Sequence, residues 1–301
     1  MSSVTSPSDE LAAVVSEVEA LLRPLAKFKA RSHDTSKSSH IPLLRDNHPD
    51  VVLLGDSMLE RMSMTGQPEQ HSLSLVAPWP ASAMFSDRAL SDLAGASHDP
   101  ERQPQGKVER LQRVLNAGVG GDKIQNIAYR LLGNSDPDPA KNLPGLASAF
   151  AARKSVKLWV VQAGTNNLSP KKGLTDADRD AMRVVLRCLL KTSSLTPGTE
   201  SKVLLTGLFP RTDISNQLVD NANEKLEGVA QDLNAEYDGK ERVIFLPATE
   251  KVKTDRHLVD HVHLSLEGYT IWMKELFPAV LNVLQQIEEE NTGDEVDSTY
   301  T

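Results

Sequence analysis

The run Val51-Val52-Leu53-Leu54, followed by Gly55-Asp56-Ser57, restricts the architecture of this chain more than any other stretch. Four consecutive apolar residues leave no polar face, so the segment reads as a short strand buried on both sides, as in a parallel sheet covered by helices. Gly-Asp-Ser then breaks the run, and Met58 to Met62 can begin a helix. A serine at such a turn stands at the carboxyl edge of a sheet. The first N–H groups of the helix point outward beside it and stabilise negative charge. The same three residues also make a plain N-cap, because Asp and Ser are preferred there and Gly eases the bend. The motif alone does not choose between nucleophile and cap.

Further apolar runs at 113–116, 156–162, 203–208 and 243–246 read as strands, and helical periodicity fills the intervals at 123–132, 146–153, 176–191 and 217–235, with a final helix at 266–287. Strands alternating with helices imply an α/β fold with a central five-stranded parallel sheet covered on both faces. Ligands then bind outside the carboxyl ends of the strands. Residues 1–44 form an N-terminal unit: an amphipathic helix from about 9 to 30, bent or interrupted at Pro24, then a polar linker over 31–40. Val14, Val18 and Leu21 would pair two copies of the chain as a homodimer if the domain left them uncovered. The domain itself spans 45–287. It holds an insertion at about 63–110, rich in proline and poor in periodicity, whose apolar centre includes Trp79, Met84 and Phe85. Residues 288–301 are acidic and polar and are expected to be disordered.

Composition excludes several classes. A net charge of -8 over 301 residues argues against a nucleic-acid surface. Cys188 is the only cysteine, so no intrachain disulfide and no thiolate zinc site can form, and its neighbours Leu186, Leu189 and Leu190 point to core packing. No run is long enough to cross a bilayer, and the polar N-terminus lacks the pattern of a signal peptide. These features fit a cytoplasmic protein.

The motifs that follow strands contain Ser57, Gly121, Asn166, Asp260 and His263, which the topology can bring to one edge. A serine hydroxyl attacks a carbonyl only when a base takes its proton, and histidine suits that work near neutrality. Asp260, three residues before His263, can accept the imidazole N–H and fix its tautomer. The backbone N–H of Ser57, that of Gly121 and the Asn166 amide supply up to three oxyanion donors. Two rival chemistries share these residues. His257, His261 and His263 with Asp255 and Asp260 carry ligand types suited to zinc, although the triad already accounts for His263. Gly118-x-Gly120 follows a strand, but Lys123 occupies the place of the third glycine of a dinucleotide fingerprint.

Gly55-Asp56-Ser57, Gly120-Gly121-Asp122, Gly164-Thr165-Asn166 and Asp260-x-x-His263 together resemble the four blocks of the GDSL or SGNH hydrolase superfamily of serine esterases and lipases. Within it, the stretches Leu115 to Asp122, Gly164 to Asn167 and His263 to Tyr269 look most like the catalytic subunits of intracellular platelet-activating-factor acetylhydrolase. The resemblance implies a flavodoxin-like three-layer sandwich and an esterase that needs no cofactor and no metal. It also implies Ser57 as nucleophile, Asp260 and His263 as its partners, and Gly121 and Asn166 as oxyanion donors. Asp56, Trp79, Met84 and Phe85 are the candidates for contact with a small-molecule or lipid ester. The competing expectation is a scaffold or binding protein that keeps the fold and has lost or weakened its catalysis.

Overall fold

The apolar runs pair as one parallel sheet in which β1 (Val51–Gly55) lies between β2 (Val114–Gly118) and β3 (Leu158–Gln162), and β4 (Lys202–Thr206) and β5 (Val243–Leu246) extend the β3 side. The computed structural model describes residues 7–46, 48–64, 114–139, 141–152, 156–193 and 200–297. The order β2-β1-β3-β4-β5 is that of a doubly wound, flavodoxin-like sheet. Its crevice falls where the winding reverses, between β1 and β3. Ser57 follows β1, so the topology alone puts it at that crevice.

Successive strand residues face opposite sides, and the buried runs use both. Val52, Leu54, Trp159, Val161, Val203 and Leu205 face one core, closed by helices Pro7–Leu22, Ile124–Leu132, Leu146–Ala151, Asp176–Ser193 and Asn216–Glu236. Val51, Leu53, Leu158, Val160 and Leu204 face the other, closed by helices Ser57–Met64 and Leu266–Asp297. The result is a three-layer α/β/α sandwich. Cys188 is buried in the first core, and burial pushes its thiol up to about 12.

Several expectations are corrected. The first helix does not resume to residue 30: it ends at Leu22, and the turn beyond it holds Pro24, where an interruption was expected. Residues 31–40 are not a linker: helix Ala30–Thr35, a π-helical turn Ser36–His40 and helix Ile41–Asp46 follow one another. Their polar composition conceals packing, because Ser32, His33, Ser36 and His40 are buried and bonded to other polar groups. His33 Nδ1 lies 2.9 Å from the Tyr129 hydroxyl, and Ser36 Oγ lies 3.3 Å from His40 Nδ1. Burial, reinforced by nearby Arg130, lowers the His40 pKa to about 3, so the ring stays neutral.

The face carrying Val14, Val18 and Leu21 does not await a second copy. Val18 and Leu22 are in the first core, and Val14 and Leu21 pack against it. The last helix runs to Asp297, past residue 288 where structure was expected to end. Glu288, Glu289 and Glu290 favour helix, and Lys157 and Lys202 reach Glu288 (3.5 Å) and Glu290 (2.6 Å) on this extension. Among the described residues no helix is long and apolar enough to cross a membrane.

Candidate active site

Gly55 closes β1 at a point where a Cβ atom would stand 2.0 Å from the Gln162 carbonyl oxygen, so only glycine lets β1 meet β3 there. Asp56 then turns the chain and helix Ser57–Met64 begins, with Met58 N–H donating to Asp56 Oδ1 at 2.9 Å. The turn lifts the serine to the sheet edge. Ser57 Oγ lies 2.8 Å from His263 Nε2, and His263 Nδ1 lies 2.7 Å from Asp260 Oδ2. Both residues come from the loop before helix Leu266–Asp297, and His263 meets a serine 206 positions earlier in the chain.

Asp260 is fixed before it meets the ring. Its Oδ1 accepts the backbone N–H groups of Val262 at 2.9 Å and His263 at 2.8 Å. Partial burial opposes its ionisation, but those bonds and the His263 ring win and lower its pKa to about 2. An ionised carboxylate can only accept, so the neutral ring carries its proton on Nδ1 and presents Nε2 as acceptor to the serine O–H. Burial lowers the His263 pKa, and Asp260 partly offsets this. The ring is therefore neutral and basic at physiological pH.

Two further loops flank the serine. Val119 N–H donates to the Gly55 carbonyl at 3.1 Å, and Asp56 N–H to that of Gln162 at 3.3 Å, so the ends of β2 and β3 bracket the β1 turn. After β2, residues 119–122 form a tight turn with Gly121 at φ +73°, a conformation that favours glycine. Glu60 Oε2 accepts Gly120 N–H at 2.9 Å and the Val119 carbonyl accepts Asp122 N–H at 3.1 Å. Gly121 N–H has no acceptor among the described residues. After β3, Asn166 Nδ2 donates one hydrogen to the Asp122 carbonyl at 3.0 Å, which ties the two loops together and leaves its second hydrogen for a ligand. Arg211 Nη1 holds the Thr165 carbonyl at 2.7 Å. The edge thus gathers a serine hydroxyl, an imidazole bonded to it, a carboxylate bonded to that imidazole, and N–H groups without an acceptor among the described residues.

The substrate-contact candidates fare differently. Asp56 is fully buried, with Oδ1 accepting Met58 N–H and Oδ2 without a hydrogen-bond partner among the described residues; burial raises its pKa to about 7, against the Met58 N–H bond. Trp79, Met84 and Phe85 lie outside the described residues, as does nearly all of 63–110. Of the histidines weighed for metal, His257 is buried and accepts Lys253 N–H at Nδ1 (2.8 Å), and His261 stands 4.0 Å from Asp213. Among the described residues no group of three metal-binding side chains converges. A cavity of about 290 Å³ opens beyond β4 and β5, lined by Leu208, Asn223, Thr249 and Lys253 among others and by no member of the Ser57 cluster.

Charged residues that support the edge gave little sign in the sequence. Arg130, fully buried, donates to Asp122 Oδ2 (2.8 Å), the Ala117 carbonyl (2.8 Å) and the Gly55 carbonyl (3.1 Å), joining the β1 and β2 ends. Tyr269, also buried, donates to the Met58 carbonyl at 2.8 Å. Arg130 sits on a helix whose apolar face alone was legible. The signal for its burial was the acid of Gly-Gly-Asp, which needs a cation once it is covered.

The family model for the GDSL-like lipase/acylhydrolase domain matches residues 51–276. The platelet-activating factor acetylhydrolase IB subunit alpha1 of Rattus norvegicus is 28% identical over 180 residues, covering 58% of this chain and 66% of the relative, and that of Mus musculus matches equally. The chain thus spans just under two thirds of these relatives' length. A family two carbohydrate esterase from Clostridium thermocellum, solved with cellohexaose, shares the fold: TM-score 0.52 at 12% identity, over 79% of this chain and 65% of that one.

Proposed function

The chain belongs to the GDSL-like lipase/acylhydrolase family, and from that premise we propose that it is a serine carboxylic-ester hydrolase working through an acyl-enzyme. The observation that carries this reading is the hydrogen-bonded line from Ser57 through His263 to Asp260, with links of 2.8 and 2.7 Å. As Ser57 Oγ attacks the ester carbonyl, His263 Nε2 takes its proton and Asp260 stabilises the imidazolium. The carbonyl electrons move to oxygen, where Ser57 N–H, Gly121 N–H and Asn166 Nδ2 receive the charge. Collapse expels the alcohol, which leaves with the proton from Nε2. Water, deprotonated by the same nitrogen, then attacks the acyl-serine and releases the acid. Short acyl groups are the favoured substrates, since the rodent relatives are acetylhydrolases by name.

The test is Ser57→Ala against p-nitrophenyl acetate, with a fluorophosphonate probe on the parent protein. Hydrolysis is expected to fall by at least about 10³-fold and the probe to label Ser57. Undiminished turnover in the variant sinks the assignment, and absent labelling with no turnover in the parent favours a scaffold.

A further inference from the structure

The peptide joining Gly120 to Gly121 is the one whose N–H the proposed mechanism aims at the oxyanion, and nothing intrinsic to the backbone holds it. With glycine on both sides, no Cβ resists a flip of the peptide plane, which would turn a carbonyl towards the developing charge. The structure braces this peptide from outside the segment the family shares. Lys29 Nζ donates to the Gly120 carbonyl at 2.6 Å and lies 3.2 Å from Asp122 Oδ1. The described peptides are all trans, so holding that carbonyl on Lys29 points Gly121 N–H the opposite way. The preceding N–H, that of Gly120, is held by Glu60, which Arg31 grips at 2.9 and 3.0 Å.

The strand of contacts is continuous. Lys27 N–H donates to the Gln125 carbonyl at 2.9 Å, Asn126 Nδ2 to the Lys27 carbonyl at 2.9 Å, and Ser32 Oγ to Asp122 Oδ1 at 2.5 Å. We propose that Lys29 is a positioning residue for ester hydrolysis: its ammonium locks the Gly120–Gly121 peptide and polarises it, so that Gly121 N–H is a stronger, fixed donor to the oxyanion. A cation on the carbonyl oxygen draws electron density through the amide, which strengthens the hydrogen bond its N–H donates. The N-terminal segment is then part of the catalytic apparatus and not an appendage. This rests on the reading of Gly121 as an oxyanion donor.

Lys29→Met, Lys29→Arg, Lys37→Met and Ser57→Ala are compared in the full chain with p-nitrophenyl acetate and with phenylboronic acid, which forms a tetrahedral adduct on an active serine. Lys37 ties the same segment to the Pro139 carbonyl at 2.6 Å, away from the turn, and serves as control. Lys29→Met is expected to lower kcat by about tenfold with KM within about twofold, since the donor is misplaced but not deleted. Boronate affinity should fall by the same factor as kcat/KM, Lys29→Arg should restore most of both, and Lys37→Met should change neither. If Lys29→Met does not fold, Lys29→Gln takes its place with the same expected direction. Parental kcat and boronate affinity in the Lys29 variant overturn the proposal, as does an equal loss in Lys37→Met, which would signify general loosening. Activity retained by Ser57→Ala defeats the functional reading beneath it; loss there with an unaffected Lys29 variant defeats Lys29 alone.

Discussion

At His263 opposing influences meet: burial lowers the pKa from 6.5, helped by nearby Arg61 and His261, and the Asp260 carboxylate raises it. The net shift is downward, so the neutral, proton-accepting ring persists to lower pH than in a free histidine. The acid limb of kcat/KM is therefore expected below pH 6.5, with activity falling as pH drops through the folded pKa. Asp260→Asn removes the raising influence and should move that limb lower still, while cutting kcat by about 10³- to 10⁴-fold through loss of the tautomer. A limb that moves up in the variant would contradict the arrangement. At this scale the sequence exposed the residues that are chemically rare at strand ends, namely Ser57, Asp260 and His263. It hid Lys29, Glu60 and Arg130, because a charged side chain near or on a helix reads as solvated until the opposite partner is located.

Among the elements, the strands were legible to within a few residues because each carries a short apolar run, although Asn116 interrupts that of β2. The segment 31–40 reads as a linker in sequence and folds as helical turns. Ser32, His33, Ser36 and His40 satisfy one another and Tyr129 and Asp122 inside the protein, and such pairing leaves no trace in hydropathy. The β1–β3 contact gives a sharp test. Gly55→Ala puts a Cβ 2.0 Å from the Gln162 carbonyl, and two central strands cannot separate without disturbing both cores. A loss of about 3 kcal/mol or more is expected in chemical denaturation. A near-parental midpoint would mean that the strands part more easily than their packing implies.

Across the whole molecule, the N-terminal helix is a wall of the first core and not a handle for association. Leu22 is fully buried there, so Leu22→Ala should cost about 2–5 kcal/mol. The denaturation midpoint should not depend on protein concentration, and a midpoint that rises with concentration would mean that the helix pairs two chains. The order of apolar runs and helices determined an α/β sandwich, and four short motifs determined which residues could meet at its edge, because periodicity and rare polar residues are local properties that the chain displays directly. Only the tertiary structure decided that Asp56 points inward, that the acid of Gly-Gly-Asp is shared by Arg130, Ser32 and Lys29, and that residues 27–32 clasp the Gly120–Gly121 peptide. The contacts of Lys29 and Ser32 with Gly120 and Asp122 join positions 90 to 93 residues apart, and their energy depends on distance and burial, which exist only once the layers have closed.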